Sequence, residues 1–314
     1  MRVGLLGTGL LGTAMARRLL RRGVPLTVWN RSRDKLAPLV GEGAAAAATP
    51  AELLGAVDVA VLLLADADAI RRSLLTADAR AALAGRTVIQ MGTIAPDQSR
   101  ALGAEVFAAG GEWLEAPVLG SLPQALDGSM VVLVGGTPEQ FERWRALFEQ
   151  WGPAPLRVGE VGSAATLKLA LNQLIATETV AFSHSLALVR RAGVDPELFL
   201  RILRGSALYA PTFDKKLPRM LAGDYADPNF PTRHLLKDVA LFEAEAERLG
   251  VRAPALEGVR ATILAALAAG LGDADYSAVY EAVDAGRGAG SGAAAQGSAA
   301  GGEAGRGGAG PLRR

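Results

Sequence analysis

Six consecutive residues near the start of the chain constrain its fold more than any other segment: Gly7, Thr8, Gly9, Leu10, Leu11 and Gly12. They follow an apolar run at residues 2–6 and precede a helical pattern at 10–22, which predicts a strand, a tight turn and a helix. The first glycine allows the bend, the second lets a ligand approach the backbone, and the third permits close packing of helix on strand. Free amides at the helix start suit phosphates. All six residues are predicted to bind a dinucleotide; the alternative is a tight turn without a ligand.

Strand and helix patterns alternate through the first half of the chain. Further strands are predicted at residues 25–29, 57–64, 87–91, 113–115, 131–134 and 157–158, with helices at 50–54, 67–83 and 96–109. Apolar runs without polar alternation are typical of parallel strands covered by helices on both faces. We therefore predict a Rossmann-type α/β domain with a doubly wound sheet over residues 1–160.

After residue 162 the pattern becomes helical throughout. Helices are predicted at residues 164–192, 196–204, 214–222, 232–249, 254–269 and 276–283. The first would be on the order of 40 Å long, enough to join two domains. We predict an all-α domain over residues 161–285, which binds substrate and forms subunit contacts. Residues 286–314 contain eleven of the 38 glycines and are predicted to be a disordered Gly/Ala-rich tail.

The composition narrows the kinds of site and partner to be expected. The 314 residues include no cysteine and two histidines, which excludes disulfides and thiolate chemistry and argues against a metal site. A net charge of +1 argues against a nucleic-acid partner. No signal-peptide pattern and no apolar run of about 20 residues is present. We therefore expect a cytoplasmic protein that binds neither membranes nor nucleic acid.

The residues that follow the second predicted strand bear on the type of dinucleotide. A site that prefers NAD has an acidic residue here, which binds the ribose 2′-hydroxyl. This chain instead has Asn30, Arg31, Ser32 and Arg33. Two guanidinium groups and a hydroxyl suit a 2′-phosphate. The pattern predicts that NADP(H) is preferred over NAD(H); the alternative is a basic turn exposed to solvent.

Lys168 and Asn172 are four residues apart near the start of the long predicted helix, so their side chains share one face. The neighbouring residues are apolar, and the lysine must either extend to solvent or serve a cleft. We favour the cleft because the helix begins beside the predicted nucleotide-binding domain. Lysine is also scarce, with five among 33 basic residues.

Taken in order, these motifs resemble the β-hydroxyacid dehydrogenase family, which includes 3-hydroxyisobutyrate dehydrogenases and tartronate-semialdehyde and glyoxylate/succinic semialdehyde reductases. The resemblance covers residues 1 to about 285 and rests on segments 3–16, 115–121, 162–172 and 237–238. It implies that Lys168 is the catalytic acid/base and that Asn172 anchors the substrate. An ammonium beside a carbonyl oxygen can stabilise developing charge and deliver a proton, which supports that role.

The resemblance also implies contacts for residues outside the two main motifs. Leu64, Thr93 and Lys237 are expected at the cofactor, and Thr93 near the substrate as well. The other residues expected to bind substrate are Gly120, Ser121, Phe230 and Asp238. Arg233 either meets a distal carboxylate of the substrate or lies at the surface.

Two departures from the family pattern indicate a reshaped substrate pocket. Leu119 stands where the family commonly has a serine that holds the substrate carboxylate, so Ser121 would have to supply that hydroxyl. Gly92 precedes Thr93 where a serine is usual. These departures favour the glyoxylate/succinic semialdehyde reductase branch. The prediction is NADPH-dependent reduction of a small carboxylated aldehyde or oxo acid to the hydroxy acid, by a homodimer or homotetramer.

Other functions stay open at this point. One is a dehydrogenase of the 3-hydroxyisobutyrate or tartronate-semialdehyde type. An imine reductase is disfavoured because those relatives generally lack the lysine. A non-catalytic NADP-binding protein is disfavoured by the presence of both Lys168 and Asn172. His184, on the long helix, is expected to pack or to contact another subunit rather than to catalyse.

Overall fold

The computed structural model describes residues 1–284, so the predicted tail at 286–314 lies outside the described residues. Nine strands form one sheet: β1 Val3–Leu6, β2 Leu26–Trp29, β3 Ala45–Ala46, β4 Val59–Leu62, β5 Thr87–Gln90, β6 Glu112–Glu115, β7 Val118–Leu119, β8 Val131–Gly135 and β9 Leu156–Gly159. The order is β3-β2-β1-β4-β5-β6-β8-β7, and β9 pairs with β8. Strands β1 to β6 pair in parallel, whereas β8 runs antiparallel to β6 and β7. The predicted Rossmann-type sheet is confirmed, with an antiparallel addition at one edge.

Eight helices accompany these strands in the first part of the chain: α1 Leu10–Arg21, α2 Ala37–Gly41, α3 Pro50–Ala56, α4 Ala67–Leu74, α5 Ala77–Ala81, α6 Pro96–Ala108, α7 Leu122–Asp127 and α8 Pro138–Phe148. The single helix predicted over residues 67–83 is instead two helices. The break occurs because the Thr76 side chain caps a new helix, accepting from the amide of Ala79 at 3.4 Å.

Apolar side chains fill both faces of the sheet. The neighbours Leu5 and Leu6 are fully buried in different cores, because successive side chains of a strand point to opposite faces. Trp151 lies in the core with Leu5, and Val88 lies in the core with Leu6. Unbroken apolar strands are therefore buried on both sides, as expected of a doubly wound sheet.

The remainder of the described chain is helical: α9 Ser163–Arg191, α10 Pro196–Arg204, α11 Pro211–Ala222, α12 Thr232–Arg248, α13 Ala255–Ala268 and α14 Val279–Val283. Helix α9 has 29 residues and contributes to two apolar cores, through Val180 in one and Phe182 in the other. The predicted all-α region is confirmed. No helix within residues 1–284 is long and apolar enough to cross a membrane.

Candidate active site

The glycine turn between β1 and α1 has the geometry that its sequence predicts. Gly7 has a φ of +103°, and a Cβ there would lie 2.4 Å from the carbonyl oxygen of Leu63. A Cβ at Gly12 would lie 2.0 Å from the carbonyl oxygen of Gly7. By contrast, a Cβ at Gly9 would meet no atom within 4 Å. The outer glycines are therefore required by the protein itself, whereas Gly9 borders open space.

The first turn of α1 offers its amides to an anion. Gly9 is the N-cap and makes no side-chain cap, and no acidic residue lies in the first turn. Leu10 is 48% exposed and Leu11 is half-buried at this helix end. The Thr8 hydroxyl is buried and has no hydrogen-bond partner within residues 1–284. Uncapped amides at an open helix start fit the pyrophosphate of a dinucleotide.

In the segment after β2, the Asn30 side chain is held by hydrogen bonds, whereas the side chains of Arg31 and Arg33 are exposed. The Asn30 amide oxygen accepts from the Thr8 amide at 3.1 Å, and its nitrogen donates to the Ser32 carbonyl at 3.0 Å. Asn30 therefore holds the glycine turn against the end of β2. Arg31 and Arg33 are exposed, and neither forms an ion pair within the described part of the chain. Their guanidinium groups are free to meet a phosphate.

A buried polar cluster joins α9 to α12. The Asn172 side chain donates to a carboxylate oxygen of Asp238 at 2.5 Å, and the two residues are 4% and 1% exposed. The other carboxylate oxygen of Asp238 lies 3.0 Å from the Lys237 ammonium. One carboxylate thus fixes the amide of Asn172 and balances the charge of Lys237.

Lys237 connects this cluster to the sheet. Its ammonium donates to the carbonyl oxygens of Thr93 at 2.7 Å and Ala65 at 3.2 Å. These residues follow β5 and β4, at the carboxyl ends of parallel strands, where ligands of open α/β sheets bind. Leu64 lies here too, with a methyl carbon 3.1 Å from the position of a Cβ on Gly7. The predicted residues Leu64, Thr93, Lys237 and Asp238 therefore lie in one region.

The electrostatics around Lys168 favour a readily transferred proton. The side chain is half-buried on α9. Burial is the largest cause that lowers the pKa of its ammonium; the carboxylate of Asp238 opposes it and the positive charge of Lys237 adds to it, and together they bring the pKa to about 8. A lysine with this pKa can donate a proton near neutral pH and release its charge at modest cost.

Both halves of the chain match families of dinucleotide-binding proteins. Residues 2–162 match the NAD binding domain of 6-phosphogluconate dehydrogenase, and residues 162–283 match the NAD-binding family of NADP-dependent 3-hydroxyisobutyrate dehydrogenase. Glyoxylate/succinic semialdehyde reductase 1 of Arabidopsis thaliana is 33% identical over 281 residues, which cover 89% of this chain and 97% of that protein. The chain belongs to the β-hydroxyacid dehydrogenase family. It is an NAD(P)-dependent oxidoreductase that acts on hydroxyl or aldehyde groups.

Solved structures share the same architecture. The 3-hydroxyisobutyrate dehydrogenase of Salmonella typhimurium is 27% identical, with a TM-score of 0.80, over 90% of this chain and 99% of that chain. Psf3 in complex with NADP+ and 2-OPP is also 27% identical, with a TM-score of 0.80, over 89% of this chain and 99% of that chain. The family's fold therefore extends across nearly all of the described residues.

Two predicted substrate residues have other partners in the structure. The Ser121 hydroxyl donates to the side-chain oxygen of Gln124 at 2.5 Å, in a capping box at the start of α7. Phe230 packs its ring against Tyr276 and His234, with centroids 5.9 Å and 6.0 Å away. Within residues 1–284, no hydrogen bond or ion pair joins Gly120, Ser121 or Phe230 to the cluster around Asp238.

The two side chains with alternative interpretations, His184 and Arg233, lie at the surface. His184 is exposed on α9. Arg233 is exposed and pairs with Asp273, which is also exposed. This pairing agrees with the surface interpretation of Arg233.

The sequence patterns did not reveal that Glu115 contacts the start of α9. Glu115 ends β6 and is 1% exposed, and its carboxylate accepts from amides at the start of α9, the helix that carries Lys168. An acidic residue at the end of a strand with two apolar residues was the signal available in the sequence, but its partners are about 50 residues away along the chain. Local patterns do not reveal such a contact.

Proposed function

We propose that this oxidoreductase uses NADPH to reduce a small carboxylated aldehyde or oxo acid, of the glyoxylate or succinic semialdehyde type, to the hydroxy acid. The observation that carries the proposal is the buried cluster of Asn172, Asp238 and Lys237, with Lys168 on the same helix as Asn172. The hydrogen bond from Lys237 to the Thr93 carbonyl joins this cluster to the carboxyl edge of the sheet, beside the glycine turn. The name of the Arabidopsis relative supports the substrate class.

The cofactor preference rests on charge. The amides of Gly9 to Gly12 would hold the pyrophosphate, while Arg31, Ser32 and Arg33 would surround the 2′-phosphate of NADPH. Both arginines are exposed and free of acidic partners within residues 1–284. Asn30 contributes by holding the turn, since its amide is engaged on Thr8 and Ser32. A bound nicotinamide would supply the hydride.

The chain's own residues would supply position and a proton. Lys168 acts as the general acid, donating to the carbonyl oxygen of the substrate as negative charge develops there. Its burial favours the neutral amine that remains after transfer. Asn172 has a second amide hydrogen and a carbonyl oxygen with which to anchor the substrate, and Asp238 fixes its orientation.

Four residues complete the proposed substrate pocket: Gly120, Ser121, Thr93 and Phe230. Ser121 would contribute its hydroxyl to the carboxylate by exchanging its present bond to Gln124. A dehydrogenase of the 3-hydroxyisobutyrate type is the second candidate, which the likeness to the Salmonella structure favours.

The exposed face of α9 supports a homodimer or homotetramer. Leu167, Leu174 and Leu188 are 41%, 51% and 71% exposed. With the exposed Ala181 they recur every seven residues, the spacing that pairs helices side by side. His184 is also exposed on this helix, in agreement with the proposed subunit contact. Light scattering should give two or four times the 32.4 kDa of the chain; a monomer would contradict this part of the proposal.

A cytoplasmic location and the expected lack of nucleic-acid and membrane partners remain predictions from composition.

The catalytic proposal is tested by following NADPH absorbance with glyoxylate, succinic semialdehyde, methylmalonate semialdehyde and tartronate semialdehyde. Turnover with one of the first two is the expected result. Preferential turnover of methylmalonate semialdehyde would favour the second candidate, and no turnover with any of the four would refute the reductase.

A further inference from the structure

Helix α9 lacks an N-terminal cap of its own. Its N-cap residue is Gly162, with a φ of +103° and no side chain to accept from the first amides. Those amides would cost free energy if they were buried without partners. A side chain from elsewhere in the fold must therefore satisfy them.

Glu115 of β6 is that side chain. One of its carboxylate oxygens accepts from the amides of Gly162, Ala164 and Ala165 at 2.8, 2.9 and 3.0 Å. The other oxygen accepts from the Ser99 hydroxyl at 2.6 Å. A negative charge at the start of a helix is also favoured by the helix dipole.

The arrangement leaves this carboxylate little freedom. A Cβ on Gly135 would lie 2.6 Å from the same oxygen that meets the helix amides, so the adjacent strand leaves room for the carboxylate and nothing more. No Lys or Arg within residues 1–284 forms an ion pair with Glu115. Burial raises the pKa of this carboxyl, while the hydrogen bonds from Ser99 and the helix amides oppose the rise.

The location of these amides gives the contact a functional meaning. Ala165 lies three residues before Lys168 on the same helix, a rise of about 4.5 Å along the axis. Helix α9 also crosses from the sheet to the helical cores, so its first turn sets where Lys168 stands relative to the glycine turn. A shift of about 1 Å at a catalytic group can lower turnover by orders of magnitude.

We infer that Glu115 is a positioning residue, which fixes the first turn of α9 and thereby holds Lys168 at the reacting carbonyl. This inference rests on the proposed function of Lys168. Glu115 touches neither substrate nor cofactor in this role, and it acts through three backbone amides.

The test compares Glu115→Ala, Glu115→Gln and the control Glu112→Ala in the full-length enzyme. Glutamine keeps an oxygen for the three amides and can donate to Ser99, so it should retain the geometry. Glu112 lies on the same strand but pairs with Arg143 at the surface. We expect kcat to fall at least about tenfold in Glu115→Ala. The Gln and Glu112→Ala variants should stay within about threefold, and NADPH should bind all variants with similar Kd.

A second readout does not depend on turnover. Competitive acetylation with peptide mass spectrometry can titrate each of the five lysines separately. In the wild type, Lys168 should titrate with a pKa of about 8, because its ammonium is removed from water at this position. In Glu115→Ala its pKa should move toward the ordinary lysine value, whereas the Gln and Glu112→Ala variants should retain the wild-type value. A merely structural cap would lower Tm without changing this titration.

Several results would overturn the inference: wild-type kcat and Lys168 titration in Glu115→Ala, or equal losses in Glu115→Ala and Glu112→Ala. If Glu115→Ala does not fold, Glu115→Asp takes its place, since the shorter side chain keeps the charge but withdraws from the amides. Unchanged kcat and titration in that variant would equally overturn it. If the wild type reduces no aldehyde, the proposed function fails, while the lysine titration still decides the role of Glu115.

Discussion

The glycine turn and the cluster on α9 and α12 are built in opposite ways. In the turn, the positive φ of Gly7 and the close approach of Gly12 to the Gly7 carbonyl arise within one short segment, although Gly7 also lies against Leu63. In the cluster, Asn172 meets a carboxylate 66 residues later, and Lys237 reaches a carbonyl 144 residues earlier. The turn is proposed to bind the pyrophosphate, a group common to many cofactors, whereas the cluster is assembled by tertiary packing and is proposed to carry the chemistry.

Removing the Lys168 ammonium, beside the cluster on α9 and α12, should have the largest effect on turnover. We expect Lys168→Ala to lower kcat by about 10²–10⁴-fold, the usual contribution of a general acid. The Kd for NADPH, measured by fluorescence, should stay near the wild-type value, because the glycine turn is untouched. Lys215→Ala, at an exposed lysine on α11, is the matched control. Normal turnover in Lys168→Ala would remove this lysine from the mechanism.

The next largest effect is expected from Arg31 and Arg33, the charged residues after β2 and near the glycine turn. The double variant Arg31→Ala/Arg33→Ala should raise the Kd for NADPH about tenfold or more, since even one hydrogen bond to a charged group contributes about 1.5–3 kcal/mol. NADH binding should change little, because NADH has no 2′-phosphate. An equal loss for both cofactors, or faster wild-type turnover with NADH, would contradict the NADP(H) preference.

Two glycines separate the requirements of folding from those of the ligand. A Cβ at Gly12 collides with the Gly7 carbonyl, so Gly12→Ala should destabilise the fold by about 1–3 kcal/mol and weaken NADPH binding. Gly9→Ala meets nothing in the protein, so Tm should be unchanged while the Kd for NADPH rises about tenfold. Calorimetry and NADPH titration check both. Unchanged affinity in Gly9→Ala would refute the pyrophosphate site.

How far the sequence predicts the molecule follows the same division. The strand–turn–helix unit, the parallel sheet and the long helix are encoded in contiguous patterns, and these expectations were confirmed. The break at Thr76 was missed because one capping hydroxyl overrode a continuous helical pattern. The roles of Asn172 and Lys237 came from family resemblance, since periodicity carries no information about contacts across 66 or 144 residues. Glu115 was missed for the same reason.

The pH dependence tests the electrostatics of the cluster. In the proposed mechanism, reduction needs protonated Lys168, and the pKa of this lysine is lowered to about 8. The value of kcat/KM should therefore be level below that pH and fall about tenfold per pH unit above it; oxidation of the hydroxy acid should show the reverse. Asp238 raises this pKa, so in Asp238→Asn the fall in kcat/KM should begin at a lower pH. If kcat/KM of the wild type begins to fall only near pH 10.5, the ordinary lysine pKa, Lys168 is not buried in the working enzyme.

The smallest expected effect concerns Ser121, where family resemblance and local structure give different roles to one hydroxyl. As a substrate contact that replaces the serine absent at position 119, Ser121→Ala should raise KM about threefold to tenfold and leave kcat unchanged. As a capping residue bonded to Gln124, it should instead lower stability by about 1 kcal/mol and leave KM unchanged. Thr137→Ala, which removes a hydroxyl that accepts from the Gln140 amide at the start of α8, is the control for loss of a hydroxyl at a helix start. A raised KM in Ser121→Ala but not in Thr137→Ala would assign the hydroxyl to the substrate. Ser121 would then have to exchange its present bond to Gln124 for one to the substrate when the pocket fills.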